Sequence, residues 1–310
     1  MELAPQVGIT LAPTSAKRKE QFLITSPMKD LASVLNKFFN AQKVLASSEI
    51  LTRLAYEACE DAFNDGVRLV EFRYAPTFIT DGHPNLDFDK IHQAFVTGVR
   101  LAQKKFPIAA GFICIIQRIR SYEIAAEVVD FAIAHKDSFL GLDLADNEEG
   151  FDPKVFAPLF QKAKNAGLHI TVHSGETPND AAAGWVKDSV EILGAERIGH
   201  GIQIIRNPQV LKFVADRKIP LEVCPISNYL TQAFKTYEEH PIRKLMQAGV
   251  AITVNSDDPG IFGTVLSDDY EVLHRVHSFT EDEFRAVNQT AFKASFIPEK
   301  DKQAFYGDFF

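Results

Sequence analysis

Cysteine is scarce in this sequence, and the few that occur exclude two kinds of site. Three cysteines stand among 310 residues, at Cys59, Cys114 and Cys224, with no Cys-x-x-Cys pair. An odd number of widely spaced thiols does not form a disulfide framework, and it suits a reducing compartment. A zinc site built from cysteines is likewise excluded.

Long apolar runs and basic clusters are also missing. No apolar stretch approaches the roughly 18 residues needed to cross a bilayer. The formal net charge is -8 and no group of lysines and arginines stands out, which argues against a nucleic-acid partner. The first residues lack the charged and then apolar pattern of a signal peptide. We therefore expect a cytoplasmic protein with neither a membrane nor a nucleic-acid partner.

What the sequence does have is a repeated alternation of apolar strands and amphipathic helices. Seven such units follow one another, roughly 25 to 40 residues apart. The predicted strands cover residues 68–73, 109–116, 139–144, 168–173, 196–200, 220–224 and 251–256. Near-continuous apolar strands with helices between them are typical of a parallel sheet covered by helices.

The count of seven favours an α/β fold of the (β/α)8 TIM-barrel type that lacks one strand. The missing strand would have to precede Arg68. An open, doubly wound sheet is the alternative, but no Gly-x-Gly-x-x-Gly or Walker A loop follows any strand, so a dinucleotide or P-loop interpretation has no support. Because α/β barrels of about 250 residues form one domain, we predict a single domain over residues 1–310.

Polar side chains stand where these strands end, and catalytic groups of such barrels lie at the carboxyl ends of strands. Histidine and carboxylate side chains recur at successive ends, which indicates metal-assisted hydrolysis with a mixed imidazole and carboxylate site suited to zinc. The strand-end residues are Glu71, Arg73, Arg118, Asp143, Asp146, His173, Glu176, His200, Cys224, Ser227, Asn228, Asp257 and Asp258.

Structural explanations compete with these functional ones. His173 and Glu176 could simply end a strand in a polar turn. Glu71 and Arg73 are interpreted as a buried ion pair that closes the barrel. Cys224 is interpreted as a packing residue. Because side chains alternate along a strand, His169 is predicted to be a packed interior residue.

Four motifs, in this order and spacing, resemble those of the adenosine deaminase family. They are Thr171-Val-His-Ser-Gly-Glu-Thr177, Arg197-Ile-Gly-His-Gly201, Cys224-Pro-Ile-Ser-Asn228 and Ser256-Asp-Asp-Pro-Gly260. The resemblance extends over nearly the whole chain. It implies a zinc-containing (β/α)8 barrel that hydrolyses adenosine and 2′-deoxyadenosine to the inosine form and releases ammonia.

The resemblance also implies roles for individual residues. His173 and Asp257 would be zinc ligands, and Asp257 would also touch the zinc-bound water. His200 would orient or deprotonate that water, whose hydroxide attacks purine C6, while Glu176 protonates N1. The substrate, a small purine nucleoside, would be bound by Asp258 at purine N7, by Gly175, and by the backbone at Asp146, where the family usually has glycine.

The sequence departs from the family in one further place. Family members carry His-x-His-Leu-Asp-Gly at the end of the first strand, which supplies two more zinc ligands, and no such motif occurs here. We therefore expect this sequence to be a shortened form of the product of a longer gene. As written, the protein should bind zinc poorly and be nearly inactive. The alternatives are a deaminase of adenine or of an N6-substituted adenine nucleotide, a truncated non-catalytic purine-binding relative, and an amidohydrolase of a non-purine cyclic amide.

Overall fold

Seven parallel strands form the centre of the molecule. A computed structural model describes residues 2–27 and 31–306. The strands are β1 (Leu69–Tyr74), β2 (Ala109–Gln117), β3 (Phe139–Ala145), β4 (His169–Ser174), β5 (Arg197–His200), β6 (Leu221–Val223) and β7 (Ile252–Val254). Each prediction of a strand from the sequence is matched by one of these seven.

Helices connect the strands and surround them. Before β1 lie α1 (Ser15–Phe22), α2 (Leu31–Gln42) and α3 (Ser48–Asn64). Between the strands lie α4 (Pro76–Gly82), α5 (Phe88–Gln103), α6 (Tyr122–Ala134), α7 (Ala157–Asn165), α8 (Ala182–Glu191), α9 (Pro208–Asp216), α10 (Pro225–Leu230) and α11 (Ile242–Gln247). After β7 follow α12 (Pro259–Phe262), α13 (Leu266–His277), α14 (Glu281–Ala294) and α15 (Glu299–Tyr306). Within the described parts of the chain, no helix is both long and apolar enough to cross a membrane.

Among the residues that the structure describes, the sheet is a TIM-type barrel with one strand missing, as the sequence predicts. Its strands lie in the order β1-β2-β3-β4-β5-β6-β7, and every neighbouring pair is parallel. Over residues 2–27 and 31–306, β1 and β7 are hydrogen-bonded to one strand each, so the ring of strands is not closed. All carboxyl ends consequently face the same side of the molecule.

The last two strands are shorter than predicted because their sequences turn early. β6 stops at Val223, since Pro225 has no N–H for the ladder and begins α10. β7 stops at Val254, and Asp257 soon after it has a left-handed φ of 57°. These early turns bring the polar residues of both segments to the rim of the sheet.

One set of strand side chains is apolar and packs beneath the helices. Leu142, Ile170, Val172, Ile198 and Val223 are each fully buried in the main hydrophobic cluster. Residues adjacent to them in sequence face the inside of the curled sheet, where side chains are polar or charged. The fold is thus stabilised by a helix-covered apolar layer around an interior that holds charge.

The interior charges form a connected network. Arg73 contacts Asp143 at 3.0 Å and Glu222 at 2.7 Å, while Arg197 contacts Glu71 at 2.6 Å and Glu222 at 2.7 Å. The interpretation of Glu71 and Arg73 as partners of each other is therefore wrong. They stand on the same side of β1 two residues apart, and each reaches across the sheet to a residue of another strand.

The prediction for His169 is also wrong. This residue opens β4 at the end opposite to the candidate site, and its side chain is 47% exposed. Its Nδ1 lies 2.9 Å from Glu196 Oε2, and its ring stacks on Phe296 with centroids 4.5 Å apart. Strand alternation gives the correct face, but the entry of the strand is open to solvent.

Candidate active site

Three side chains from different strand ends meet in one place. His173 lies in β4, His200 ends β5 and Asp257 follows β7; one nitrogen or oxygen atom of each lies within 4.8 Å of the others. The imidazole centroids of His173 and His200 are 5.3 Å apart. An imidazole nitrogen and a carboxylate oxygen are donors that zinc accepts, and a second imidazole lies beside them, so this cluster fits a divalent metal ion.

His173 is oriented from behind by a buried carboxylate. Asp143, which is fully buried in β3, accepts a hydrogen bond from the backbone N–H of His173 at 3.1 Å. Its Oδ2 also lies 2.7 Å from His173 Nδ1, a close contact that is not aligned as a hydrogen bond. Burial lowers the pKa of His173, but the charge of Asp143 outweighs this and raises that pKa to about 9. Because Nδ1 faces Asp143, Nε2 is the ring nitrogen of His173 that is available to a metal.

A glycine on the neighbouring strand gives this imidazole its space. Gly199 lies directly opposite His173 in the β4–β5 register. A Cβ at Gly199 would stand 3.2 Å from Cγ and 3.2 Å from Cα of His173, tighter than most side-chain contacts. The glycine of the Arg-Ile-Gly-His segment is therefore explained by the close approach of the ring.

The two aspartates after β7 differ in their surroundings. Asp257 is exposed, and its Oδ2 accepts a hydrogen bond of 2.6 Å from Ser227 Oγ. Burial, and next the negative charge of Asp257, raise the pKa of Asp258 well above its ordinary value. Adjacent carboxylates repel each other, so a cation bound to Asp257 would relieve this cost.

Glu176 extends into the same region from the turn after β4. Its Oε1 accepts a hydrogen bond of 2.8 Å from Thr231 Oγ1, and its Oε2 lies 3.5 Å from His200 Nε2. The side chain is 22% exposed, so it stands at the boundary between protein and solvent. One carboxylate oxygen is thus fixed by the protein while the other faces the histidine.

A residue that the sequence analysis missed, Glu148, holds this turn in position. Its buried carboxylate accepts hydrogen bonds from the backbone N–H groups of Gly175, Glu176 and Thr177, at 2.7, 2.9 and 3.1 Å. These residues define the 175–177 turn. Three N–H donors on one carboxylate are a strong, charge-assisted arrangement. Glu148 therefore positions the backbone of Glu176.

Gly175 and Asp146, both predicted to contact substrate, have left-handed backbones. Gly175 has a φ of 74°, and a Cβ there would stand 2.5 Å from Val186 Cγ2. Its N–H is donated to Glu148. Asp146 has a φ of 84°, which is the conformation that a glycine adopts without strain. Its carboxylate accepts hydrogen bonds from Gln117 Nε2 at 3.0 Å and from its neighbour's backbone N–H at 2.7 Å.

Other strand-end residues serve the scaffold rather than this cluster. Glu71, Arg73 and Glu222 belong to the interior ionic network described above. The guanidinium of Arg118 is buried and donates to the backbone carbonyls of Leu144 and His173. Cys224 is buried, and burial raises the pKa of its thiol well above the ordinary value, so it is unsuited to act as a thiolate.

Comparisons with known proteins point to one family. The adenosine deaminase family model matches residues 1–308. An adenosine deaminase of Plasmodium knowlesi is 36% identical over 296 residues, which is 93% of this chain and 80% of that protein.

Three solved structures share the fold. An adenine deaminase from Arthrobacter aurescens has a TM-score of 0.89 at 27% identity, covering 99% of this chain and 91% of that one. An amidohydrolase from Burkhoderia ambifaria with bound Zn has a TM-score of 0.86 at 25% identity, covering 99% and 84%. The N6-methyl-AMP deaminase of Arabidopsis thaliana has a TM-score of 0.78 at 26% identity, covering 90% and 82%.

Proposed function

The chain belongs to the adenosine deaminase family of hydrolases that act on C–N bonds. From this premise we propose that it converts adenosine to inosine and 2′-deoxyadenosine to 2′-deoxyinosine, with zinc as cofactor. Water adds at purine C6, the exocyclic amine leaves as ammonia, and C6 becomes a carbonyl carbon. The observation that carries the proposal is the meeting of His173, His200 and Asp257 at the carboxyl ends of three strands.

His173 and Asp257 would hold the metal, and neighbouring groups orient both. Asp143 contacts His173 from behind, and Ser227 donates to Asp257. A bound zinc ion supplies water activated as a nucleophile near neutral pH. These two residues are fewer than the three protein ligands usual for catalytic zinc. We therefore propose that zinc binds here more weakly than in a three-ligand site, and that deamination is slow but measurable when zinc is supplied in excess.

Glu176 would supply the proton for purine N1. Addition of water at C6 builds negative charge on the ring, and a carboxylic acid beside N1 would neutralise it as the charge forms. The hydrogen bond from Thr231 Oγ1 to Oε1 leaves Oε2 as the oxygen that faces the site. A proton held on Oε2 would thus point toward the substrate.

Asp258 would recognise N7, which can only accept a hydrogen bond. Such a contact needs a protonated carboxyl group, and burial, followed by the charge of Asp257, raises the pKa of Asp258 in the direction that favours this form. Asp146 and Gly175 are proposed to contact the rest of the nucleoside. Because the N–H of Gly175 is donated to Glu148, the contact we propose at Gly175 is steric.

A second candidate is deamination of adenine or of an N6-substituted adenine nucleotide. It is favoured by the fold similarity to the adenine deaminase and to the N6-methyl-AMP deaminase reported above. The carboxylate of Asp146, at a position where the family usually has glycine, would repel the phosphate of a nucleotide, since like charges repel.

A substrate panel tests the proposal. Zinc-supplied protein is incubated with adenosine, 2′-deoxyadenosine, adenine and N6-methyl-AMP, and products are separated by chromatography. We expect inosine and 2′-deoxyinosine, with ammonia in equal amount. Hypoxanthine or IMP as the dominant product would transfer the assignment to the second candidate. Binding of adenosine without any product would identify a non-catalytic purine-binding protein.

A further inference from the structure

We propose that His240 and Asn228 position His200 by fixing the proton of its neutral imidazole on Nε2, so that His200 donates a hydrogen bond toward the reacting centre. Three buried side chains form this chain of contacts: His240 and Asn228, which lie on either side of the loop after α10, and His200 at the end of β5. The catalytic consequence rests on the proposed function, whereas the position of the proton does not.

A backbone amide at the His240 end determines which atom donates and which accepts in each of these hydrogen bonds. The N–H of Ile242 lies 3.3 Å from His240 Nδ1. A backbone N–H can only donate, so His240 Nδ1 must accept and its proton lies on Nε2. Burial lowers the pKa of His240 to about 3, which keeps the ring neutral and in need of a defined tautomer.

The orientation of the Asn228 amide follows from this. His240 Nε2 lies 3.2 Å from Asn228 Oδ1, and Asn228 Nδ2 lies 3.0 Å from His200 Nδ1. The oxygen accepts from His240 and the amide nitrogen donates to His200. The reverse arrangement would turn a His240 N–H against the N–H of Ile242, two donors facing each other in a buried place.

The orientation of Asn228 determines the state of Nε2, the nitrogen of His200 that faces the site. Because Nδ1 accepts from Asn228, the neutral ring carries its proton on Nε2, which lies 3.5 Å from Glu176 Oε2. A protonated Nε2 cannot coordinate a metal and cannot accept a proton. Of the three clustered side chains, His200 is therefore the hydrogen-bond donor that orients the attacking oxygen, and His173 and Asp257 are the metal ligands.

Asparagine-to-aspartate exchange at position 228 reverses the proton position with almost no change in shape. A carboxylate accepts through both oxygens, so it accepts from His240 Nε2 as before and requires a proton on His200 Nδ1. The matched control is Asn207→Asp at the start of α9, where Asn207 Oδ1 accepts from two backbone N–H groups and a carboxylate caps equally well.

Nitrogen-15 NMR of histidine-labelled full-length protein measures the tautomer directly, with the His200 signals identified by their loss in His200→Gln. We expect the Nε2–H form in the wild type and in Asn207→Asp, and the Nδ1–H form in Asn228→Asp. An Nδ1–H wild-type ring, or identical His200 signals in wild type and Asn228→Asp, would overturn the proposal. The wild-type spectrum decides by itself if the variant does not fold.

Kinetics separate this inference from the proposed function. In Asn228→Asp we expect kcat to fall about tenfold or more, with KM and zinc content close to wild type. The expected tautomers without deamination by any protein would refute the proposed function and leave the positioning intact. An unchanged kcat in Asn228→Asp despite a reversed tautomer would refute the catalytic consequence.

Discussion

At the scale of single residues, each functional side chain of the site has one polar atom held by a neighbour and a second polar atom free to act on a metal or a substrate. His173 has Asp143 against one ring nitrogen, Glu176 has Thr231 on one oxygen, and Asp257 has Ser227 on one oxygen. Each functional group thus presents a single atom to the centre. Substitutions that keep shape but remove that atom's chemistry are the appropriate tests.

Glu176→Gln removes the proton that the proposed reaction needs at N1. Loss of a general acid typically costs about 10²–10⁴-fold in rate, so we expect kcat to fall by that amount while zinc content and unfolding temperature stay near wild type. Steady-state kinetics on adenosine measure the effect. The exposed Glu191→Gln on α8 is the control, and equal activity of the two variants would contradict the role.

Asp269 makes stability depend on pH. It is 1% exposed in α13, and its Oδ1 accepts from the N–H of Ile226 at 2.9 Å. Burial raises the pKa of Asp269 to about 8, although the Ile226 N–H opposes the shift. Between about pH 4 and pH 8 the folded protein holds a proton that the unfolded chain has released, so stability falls as pH rises.

Asp269→Asn should remove that slope. The wild type should lose up to about 1.4 kcal/mol of unfolding free energy per pH unit within this window from Asp269 alone. The asparagine does not titrate and still accepts from Ile226. Urea unfolding at several pH values from 4 to 8 measures both proteins, and parallel curves would show that Asp269 is ionised throughout.

Several of these residues could be predicted from the sequence and others could not. His173, Glu176, His200, Asp257 and Asp258 lie at the ends of strands or just after them, so their position can be predicted from the pattern of apolar strands in the sequence. Glu148 lies in a polar loop and acts on backbone amides, which leave no trace in side-chain spacing. The contact of Asn228 with His200 and with His240 depends on how a loop folds back, and no periodicity encodes it.

At the scale of elements, the 175–177 turn is the part that links the fold to the chemistry. It connects β4 to the segment before α8, and its three backbone N–H groups are all donated to Glu148. The position of Glu176 is therefore set by a carboxylate from the loop after β3. Two successive strand–helix units are joined at the site by this one side chain.

Glu148→Gln should disturb that turn. An amide has one acceptor oxygen, and its NH₂ group would face an N–H donor, which costs about 1–3 kcal/mol when buried. We expect this loss of unfolding free energy together with a reduced kcat. The neighbouring Glu149→Gln, exposed on the same loop, is the control, and equal stability of the two variants would show that the hydrogen bonds to Glu148 contribute little.

Element types were predictable because the apolar runs and helix-starting prolines are local signals. The boundaries of elements were harder to predict where a helix begins directly after a strand, as at Cys224 and Pro225. His169 shows a second limit: alternation identifies the face of β4, but not that its first residue lies at an open end beside Glu196 and Phe296. Such exposure is decided by distant parts of the chain.

At the scale of the whole molecule, the interior ionic network crosses the curled sheet. Arg73 and Arg197 from β1 and β5 meet at Glu222 of β6, and Glu71 and Asp143 complete the set. Burial opposes ionisation of Glu222, but the two arginines prevail and lower its pKa to about 2. Its contribution to stability is thus present above about pH 4.5 and lost as pH falls toward 2.

Glu222→Gln should destabilise the protein strongly because it removes one of the two carboxylate partners of the buried Arg197 and of the partly exposed Arg73. Breaking a buried pair by removing one partner costs about 3–5 kcal/mol. The control is Glu271→Gln, whose partner Arg275 is exposed and four residues away on α13; such a pair contributes about 0.5 kcal/mol. Chemical denaturation at neutral pH compares them, and similar losses would show that the network is energetically neutral.

The central claim is that the strand ends carrying His173, His200 and Asp257 form a metal-dependent centre that deaminates a purine. The most direct measurement is the formation of inosine and ammonia from adenosine by zinc-supplied wild type beside His173→Ala. The account predicts equal amounts of the two products from the wild type and none from the variant. Product formation by His173→Ala at the wild-type rate would contradict it.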